Sequence, residues 1–187
     1  MIEIFLVRHG KPQCDHDTRI RGCDFARWVA EYEDSPIDSK FLPSPELLTQ
    51  VARTQHIVTS TLRRSVESAS ILAPERSAVA EPLFKEAGIP TAIPFRLALS
   101  PNSWDLLSRA AWLLGMASGD ESFREARARA GQAAAHLVAL ARQHGSVALV
   151  GHGMLNTLIA RALRRSGWTG TGSPRVYWGS VSLAMPH

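Results

Sequence analysis

Apolar residues along this chain follow two rhythms, and the rhythm switches repeatedly. Residues 2–7 and 147–151 are short, nearly unbroken apolar runs, the pattern of strands buried on both faces of a parallel sheet. Each ends alike: Arg8-His9-Gly10 follows the first run, and Gly151-His152-Gly153 closes the second. Residues 55–59 predict another short strand, and residues 78–80 a further one. Between them the apolar spacing becomes helical. Ser44-Pro45-Glu46 is a helix start, with serine as cap and proline at the first position, and that helix runs to about Thr54. Ser60 or Thr61 can cap the next helix, which continues to about Leu72. Trp104, Leu106, Leu107, Ala110, Ala111, Leu113 and Leu114 predict a helix over 103–116, broken by Gly119 and Asp120. Ser122 and Glu125 form a capping-box pair ahead of Phe123, Ala126, Ala130, Ala133, Leu137 and Leu140, and His144-Gly145 ends that helix. A helix over 154–165 and one or two strands over 176–184 complete the chain.

Strands alternating with helices imply an α/β fold: a three-layer α/β/α sandwich with a mostly parallel central sheet. The 187 residues are expected to form a single domain, 1–187. Two segments resist regular assignment. Residues 11–43 carry turn formers and charges around a short helical stretch at 25–32, and residues 87–103 hold Pro90, Pro94 and Pro101. Ligands of open α/β sheets bind beyond the carboxyl ends of the strands. If the first and the late strand are parallel neighbours, His9 and His152 meet there with Arg8 beside them. Two imidazoles and a guanidinium in one cleft point to phosphoryl chemistry.

Composition narrows the classes. Hydrophobic content of 45% and charged content of 20% are ordinary for a globular chain. The excess of charge is only +4, and nearly all the basic residues are arginine, which suits bidentate phosphate contacts. No basic stripe is interleaved with aromatics, so nucleic acid is not an expected partner. No run approaches a membrane span and no leader pattern opens the chain, which makes the cytoplasm the expected location. Cys14 and Cys23 lie in one early loop and suggest no disulfide framework. Cys14-Asp15-His16-Asp17 matches no common zinc spacing and reads as a solvated loop.

Three motifs in order, Leu6-Val7-Arg8-His9-Gly10, Ser60-Thr61-Leu62-Arg63-Arg64-Ser65 and Gly151-His152-Gly153, resemble those of the histidine phosphatase superfamily, which includes the phosphoglycerate mutases. The resemblance spans almost the whole chain and implies a phosphoglycerate mutase-like fold. It also implies roles. His9 is the nucleophile that becomes phosphohistidine, Arg8 and Arg64 clamp phosphate oxygens, and His152 donates to the transferring group. The family pattern S-x-L-x-R-A makes Arg64 the clamp, leaving Arg63 on a solvated helix face. The family places a glutamate after the third strand, commonly as L-x-E, and Phe84-Lys85-Glu86 falls there. Glu86 is therefore the expected general acid, with Glu81 as the competing choice. Gly10 and Gly153 either offer N–H groups to phosphate or only allow a tight turn. Ser60 either touches phosphate or caps its helix, the cap being favoured. His16, His56, His136, His144 and His187 match no motif and read as surface or structural. Trp104 and Trp112 read as core, although the leucines between them exceed one helical face and leave room for a substrate lid or dimer contact.

The physics agrees with these roles. Charge on the equatorial oxygens of a transferring phosphoryl group calls for positioning and positive potential. Arginines supply charge that does not titrate away, and their field keeps His9 unprotonated for attack. A covalent intermediate replaces one hard step with two easier ones. No metal and no cofactor is required. Departures from the family lie in residues 11–15. Lys11-Pro12 replaces a Glu-Thr pair, and Asp15 stands where an asparagine near the phosphate is common. The expected activity is a metal-independent phosphomonoesterase acting on a small phosphorylated substrate, with selectivity carried by residues 11–43 and 87–116. Alternatives are a protein phosphohistidine phosphatase, a phosphomutase and a non-catalytic phosphate-binding protein. The sequence leaves the oligomeric state open.

Overall fold

Strand β1 (Glu3–Arg8) alternates its side chains between two buried faces, and this alternation organises the molecule. The computed structural model describes residues 2–116 and 121–186. The elements that follow β1 are β2 (Ile20–Arg21), α1 (Phe25–Asp34), α2 (Pro45–Ala52), β3 (His56–Thr59), α3 (Arg63–Leu72), β4 (Val79–Ala80), β5 (Ala98–Leu99), α4 (Pro101–Leu113), α5 (Phe123–His144), β6 (Ser146–Gly151), α6 (Gly153–Arg165) and β7 (Ser180–Ala184). The main sheet runs β4-β3-β6-β1-β7. All its pairings are parallel except β1 with β7 at the edge.

Ile4 and Leu6 of β1 join Val147 and Leu149 of β6 on one face, covered by the small side chains of α5 and by Leu155, Leu158, Ile159 and Leu163 of α6. Val7, Ala148, Val150 and Ile57 face the other way, against Leu47 and Val51 of α2 and Ala69 and Leu72 of α3. This is the expected three-layer sandwich. A satellite cluster of Phe25, Val29 and Trp104 joins α1 to α4. The pairing of β2 with β5, through Ile20↔Leu99 and Arg21↔Ala98, then ties the two irregular segments together.

Local chemistry explains the boundaries. Ser44 Oγ accepts the Leu47 N–H, and Pro45 opens α2. Ser122 and Glu125 make the capping box of α5, and Gly145 ends that helix at φ +88°, where a side chain would be strained. Three expectations need correction. First, α4 begins at Pro101 with Ser100 as its cap, repeating the Ser-Pro signal of α2 inside the segment read as irregular. Gly119 and Asp120, read as breakers of that helix, lie outside the described residues, as does His187. Second, α3 begins one or two residues later than a Thr61 or Ser60 cap would place it, with Leu62 at the cap position. Third, β7 starts at Ser180 instead of 176, because Trp178 adopts φ 60° and breaks the extended run.

Among the described residues, no helix is long and apolar enough to cross a membrane. Leu149 is fully buried at the centre of the sheet. Leu149→Ala is expected to cost about 2–5 kcal/mol of unfolding free energy, read as a lower denaturant midpoint at unchanged slope.

Candidate active site

β1 and β6 lie in parallel register, with Arg8 opposite Gly151, and the His9 N–H bonds the Gly151 carbonyl at 2.9 Å. Both strands end at the same edge. The rings of His9 and His152 are therefore neighbours, 5.1 Å between centroids and inclined at 62°. Asn156, buried in the first turn of α6, donates to the Val7 carbonyl at 3.0 Å and fixes that helix to the end of β1. Arg64, on the first turn of α3, donates Nε–H to His9 Nε2 at 3.3 Å. His9, Arg64 and His152 are 1%, 1% and 0% exposed. Arg63 turns outward onto Glu67 at 2.7 Å.

The His9 Nδ1 atom lies 2.7 Å from the Gly10 carbonyl. A carbonyl only accepts, so Nδ1 carries the proton and Nε2 keeps a lone pair towards Arg64. Burial, then His152, Arg64 and Arg8, hold this imidazole well below the usual 6.5, against the Gly10 carbonyl. Burial, then Arg64 and Arg8, do the same to His152. His152 Nε2 lies 2.6 Å from Ser60 Oγ, which also accepts the Leu62 N–H at 3.2 Å. Ser60 thus joins the start of α3 to His152, a contact that the choice between cap and phosphate ligand did not anticipate. Among the described residues, His152 Nδ1 and Arg8 Nε are buried without partners. Buried polar atoms left without a partner typically cost roughly 1–3 kcal/mol each, a cost that a ligand bonding to them would remove.

Arg8 lies over the Tyr177 ring at 4.2 Å and donates to the Arg175 carbonyl. Arg64 lies over Tyr32 at 4.8 Å. Tyr32 stacks on Trp28 and Trp28 on Phe25, an aromatic ladder along α1 that ends on the Arg64 guanidinium. Arg8 and Tyr177 line a cavity of about 370 Å³ whose wall also includes Glu86, Gly153, Asp105 and Arg109, whereas His9, Arg64 and His152 are buried and are not part of its lining. Asp105, Arg109 and Leu113 bring one face of α4 to this wall, while Trp104 and Trp112 are buried.

Glu86 sits at the start of α6. Its Oε1 accepts the Leu155 N–H at 3.0 Å and the Ala87 N–H at 2.9 Å, and its Oε2 accepts the Met154 N–H at 3.3 Å. Burial raises this carboxyl, but Arg109 and the backbone N–H groups outweigh it and hold the group below its ordinary value. Glu81, the competing acid, instead pairs with His136 at 3.0 Å and is not on the cavity wall.

Gly153 lines the cavity beside Arg8, where a Cβ would meet the guanidinium at 3.3–3.4 Å. Gly10 departs from its expected phosphate-binding role: its N–H is committed to Ser68 Oγ at 2.9 Å. The residue is needed for space, since a Cβ there would fall 2.3 Å from the Trp178 ring. Asp15 turns away from the cavity. Its Oδ1 accepts the N–H groups of Asp17 and Thr18, and hydrogen bonds from Thr18 and then Asp17 bring its carboxyl down to about 2. His16, read as surface or structural, lines the cavity with Cys14 Sγ at 3.2 Å from its Nε2. The sequence reading missed Tyr177, Tyr32, Asp105 and Arg109. Tyr32, Asp105 and Arg109 fall within residues 11–43 and 87–116, the segments expected to carry selectivity, but no local signal singled them out.

The model of the histidine phosphatase superfamily (branch 1) matches residues 44–183. This chain belongs to that superfamily. The matched span contains Arg64, Glu86 and His152, while Arg8 and His9 precede it and reach the site through the β1–β6 pairing. No curated protein matches the chain. Among solved structures, this superfamily member is similar to a mutant phosphoserine phosphatase from Entamoeba histolytica in complex with phosphoserine. The two share 15% identity and a TM-score of 0.65, over 100% of this chain and 92% of the other. It is also similar to mycobacterial hydrolase 1, at 19% identity and a TM-score of 0.61 over 100% and 98%. A mycobacterial glucosyl-3-phosphoglycerate phosphatase complexed with VO3 matches at 19% identity and a TM-score of 0.54, over 88% and 83%. At these identities the likeness establishes the fold.

Neutral burial of two histidines has a measurable cost. Below 6.5 the unfolded chain takes up protons that the folded site refuses, so stability falls as the pH drops through that value. The unfolding free energy is expected to decline by up to about 1.4 kcal/mol per pH unit for each such histidine. Denaturation of the parent and of His9→Asn between pH 7 and pH 5 checks this, the variant giving the shallower slope.

Proposed function

We propose that the protein is a phosphomonoesterase working through a phosphohistidine on His9, with a small phosphorylated metabolite as substrate. The observation that carries this reading is the hydrogen bonding of His9. Nδ1–H is given to the Gly10 carbonyl, and Nε2 keeps its lone pair beside Arg64. Membership of the histidine phosphatase superfamily supports phosphatase activity, and the fold is shared with phosphatases.

The substrate phosphate docks against Arg8, Arg64 and His152. With the Ser60 hydroxyl donating to His152 Nε2, that ring carries its proton on Nδ1, the buried atom without a partner, and donates it to a phosphoryl oxygen. The His9 Nε2 lone pair forms a bond to phosphorus while the bond to the ester oxygen breaks. The leaving oxygen takes the proton of Glu86. The Gly10 carbonyl offsets the positive charge that appears on the ring. Water then attacks phosphorus and yields a proton to Glu86, and the P–N bond breaks to release phosphate and free His9. Positive charge that is fixed before the substrate arrives stabilises the charge developing on the equatorial oxygens. None of these steps calls for a metal. A single domain and a cytoplasmic setting belong to the same proposal, and a cavity of about 370 Å³ accommodates a metabolite-sized ester.

Glu86 must hold a proton to act as the acid, yet in the free site its surroundings favour the anion. A phosphate dianion arriving beside it reverses that balance, because a like charge favours the neutral carboxyl. The presence of this carboxyl on the cavity wall favours an ester substrate over a phosphohistidine one, whose leaving group needs less assistance.

Phosphate release from p-nitrophenyl phosphate in the presence of EDTA tests the nucleophile. Turnover is expected to survive EDTA and to fall by about 10³-fold or more in His9→Ala, whereas equal rates in both proteins would remove His9 from the mechanism. Benzyl phosphate, with its poor leaving group, tests the acid. Glu86→Gln should lower its kcat/KM by about 10²-fold and depress that of p-nitrophenyl phosphate much less.

A further inference from the structure

Arg129 stands on α5, away from the phosphate groups, and its side chain is mostly buried. Its guanidinium has five N–H groups, and each has an acceptor. Nε and Nη2 form a fork on the two oxygens of Glu121, at 2.7 and 2.6 Å. Nη1 donates to the carbonyls of Leu83 and Lys85, at 3.0 and 2.7 Å. Nη2 also reaches the carbonyl of Glu86 itself, at 3.4 Å. The next two carbonyls of that loop, Ala87 and Gly88, are taken by Arg109 Nη1 from α4. Glu121 in turn receives the Trp112 indole N–H on its own carbonyl, at 2.8 Å.

Residues 83–88 form no strand and only a short turn of 3-10 helix at Pro82–Phe84. Phe84 and Ala87 anchor this loop in the core, but its carbonyls lack the partners that a sheet or helix would provide. Here one planar fork fixes three of those carbonyls. A lysine cannot do this, because its ammonium has three donors at one point and no second edge for the carboxylate.

We infer that the Arg129–Glu121 pair is a positioning device for Glu86, setting the depth at which its carboxyl stands over the leaving group. This rests on the general-acid reading of Glu86. Arg129 touches neither substrate nor reacting atoms in that mechanism and acts through the backbone of the loop. In the phosphorylation step, which kcat/KM reports, displacing an acid by a fraction of a hydrogen-bond length matters only where the leaving group needs its proton. The consequence is thus a change in leaving-group dependence, which a general loss of folding would not produce.

The test measures kcat/KM for benzyl phosphate and p-nitrophenyl phosphate in the parent, Glu86→Gln, Arg129→Lys, and the double variant, with thermal melts alongside. Lysine keeps the positive charge and loses the fork. Glu121→Gln, which weakens the fork from the other side, is the second route should Arg129→Lys fail to fold. The expected result is a fall of at least about tenfold in the benzyl-to-nitrophenyl kcat/KM ratio for Arg129→Lys, a smaller fall of the same kind for Glu121→Gln, and no further fall in the ratio when Arg129→Lys is added to Glu86→Gln. An unchanged ratio in folded Arg129→Lys or Glu121→Gln, with Glu86→Gln lowering it, would overturn the positioning role and leave the acid assignment standing. An unchanged ratio in Glu86→Gln would overturn both.

Discussion

The pairing of Arg8 with Gly151 is the constraint on which the rest of the site depends. Strand side chains alternate, so a slip of one residue between β1 and β6 would turn Arg8 and every apolar partner to the wrong face. Two buried faces forbid that slip: Ile4, Leu6, Val147 and Leu149 belong to one core, and Val7, Ala148 and Val150 to the other. The same alternation that fills the core therefore delivers two imidazoles to a single sheet edge, 5.1 Å apart. Asn156 closes the arrangement by bonding the last apolar carbonyl of β1.

Apart from the Glu86 and Asp105 carboxyls on the cavity wall, what gathers at that edge is positive or neutral, with His9, Arg64 and His152 buried and Arg8 half-buried. Arg64 lies under Tyr32 with the two histidines against it, and Arg8 lies on Tyr177. Aromatic faces offer a guanidinium favourable contact without a neutralising carboxylate. Had Asp15 turned inward, its charge would have offset much of this field, but a turn built on Asp17 and Thr18 holds it outside. The centre thus keeps its potential for an anion, and the neutral histidines are one result.

Much of this was legible in the chain, for identifiable reasons. Caps and apolar runs are local signals, so Ser44-Pro45, Ser122 with Glu125, and the two strand ends could be read one at a time. Arg8, His9, Arg64 and His152 stood at element ends, where position in sequence predicts position in space. Glu86 was found by resemblance, and the cavity separates it from Glu81. Other features depend on contacts that no local pattern carries. Val176, Tyr177 and Trp178 read as strand because they are bulky and apolar. Yet Trp178 takes a left-handed backbone, held by its indole N–H on the Phe41 carbonyl and by the space over Gly10. Arg124, Arg127 and Arg129 look alike as arginines of an amphipathic helix, and only the last meets the loop of Glu86. Ser60 fitted two roles in sequence, and its contact with His152 spans 92 residues.

Glu86 and the phosphate of the proposed reaction draw on the same helix start, and this coupling gives the site its order of events. The first N–H groups of α6 hold the carboxylate while the site is free, since a helix N-terminus stabilises one negative charge near it. A substrate dianion beside Arg8 and Gly153 places a second negative charge at that terminus. Coulomb repulsion in a poorly solvated cavity is large, and a proton on Glu86 relieves it without moving either group. The loop need not swing for this to happen, because its carbonyls stay fixed while only the protonation of the carboxyl changes. A rigid acid whose proton arrives with the substrate is then charged for the leaving oxygen when it is required. It returns to the backbone N–H groups as an anion once phosphate has left.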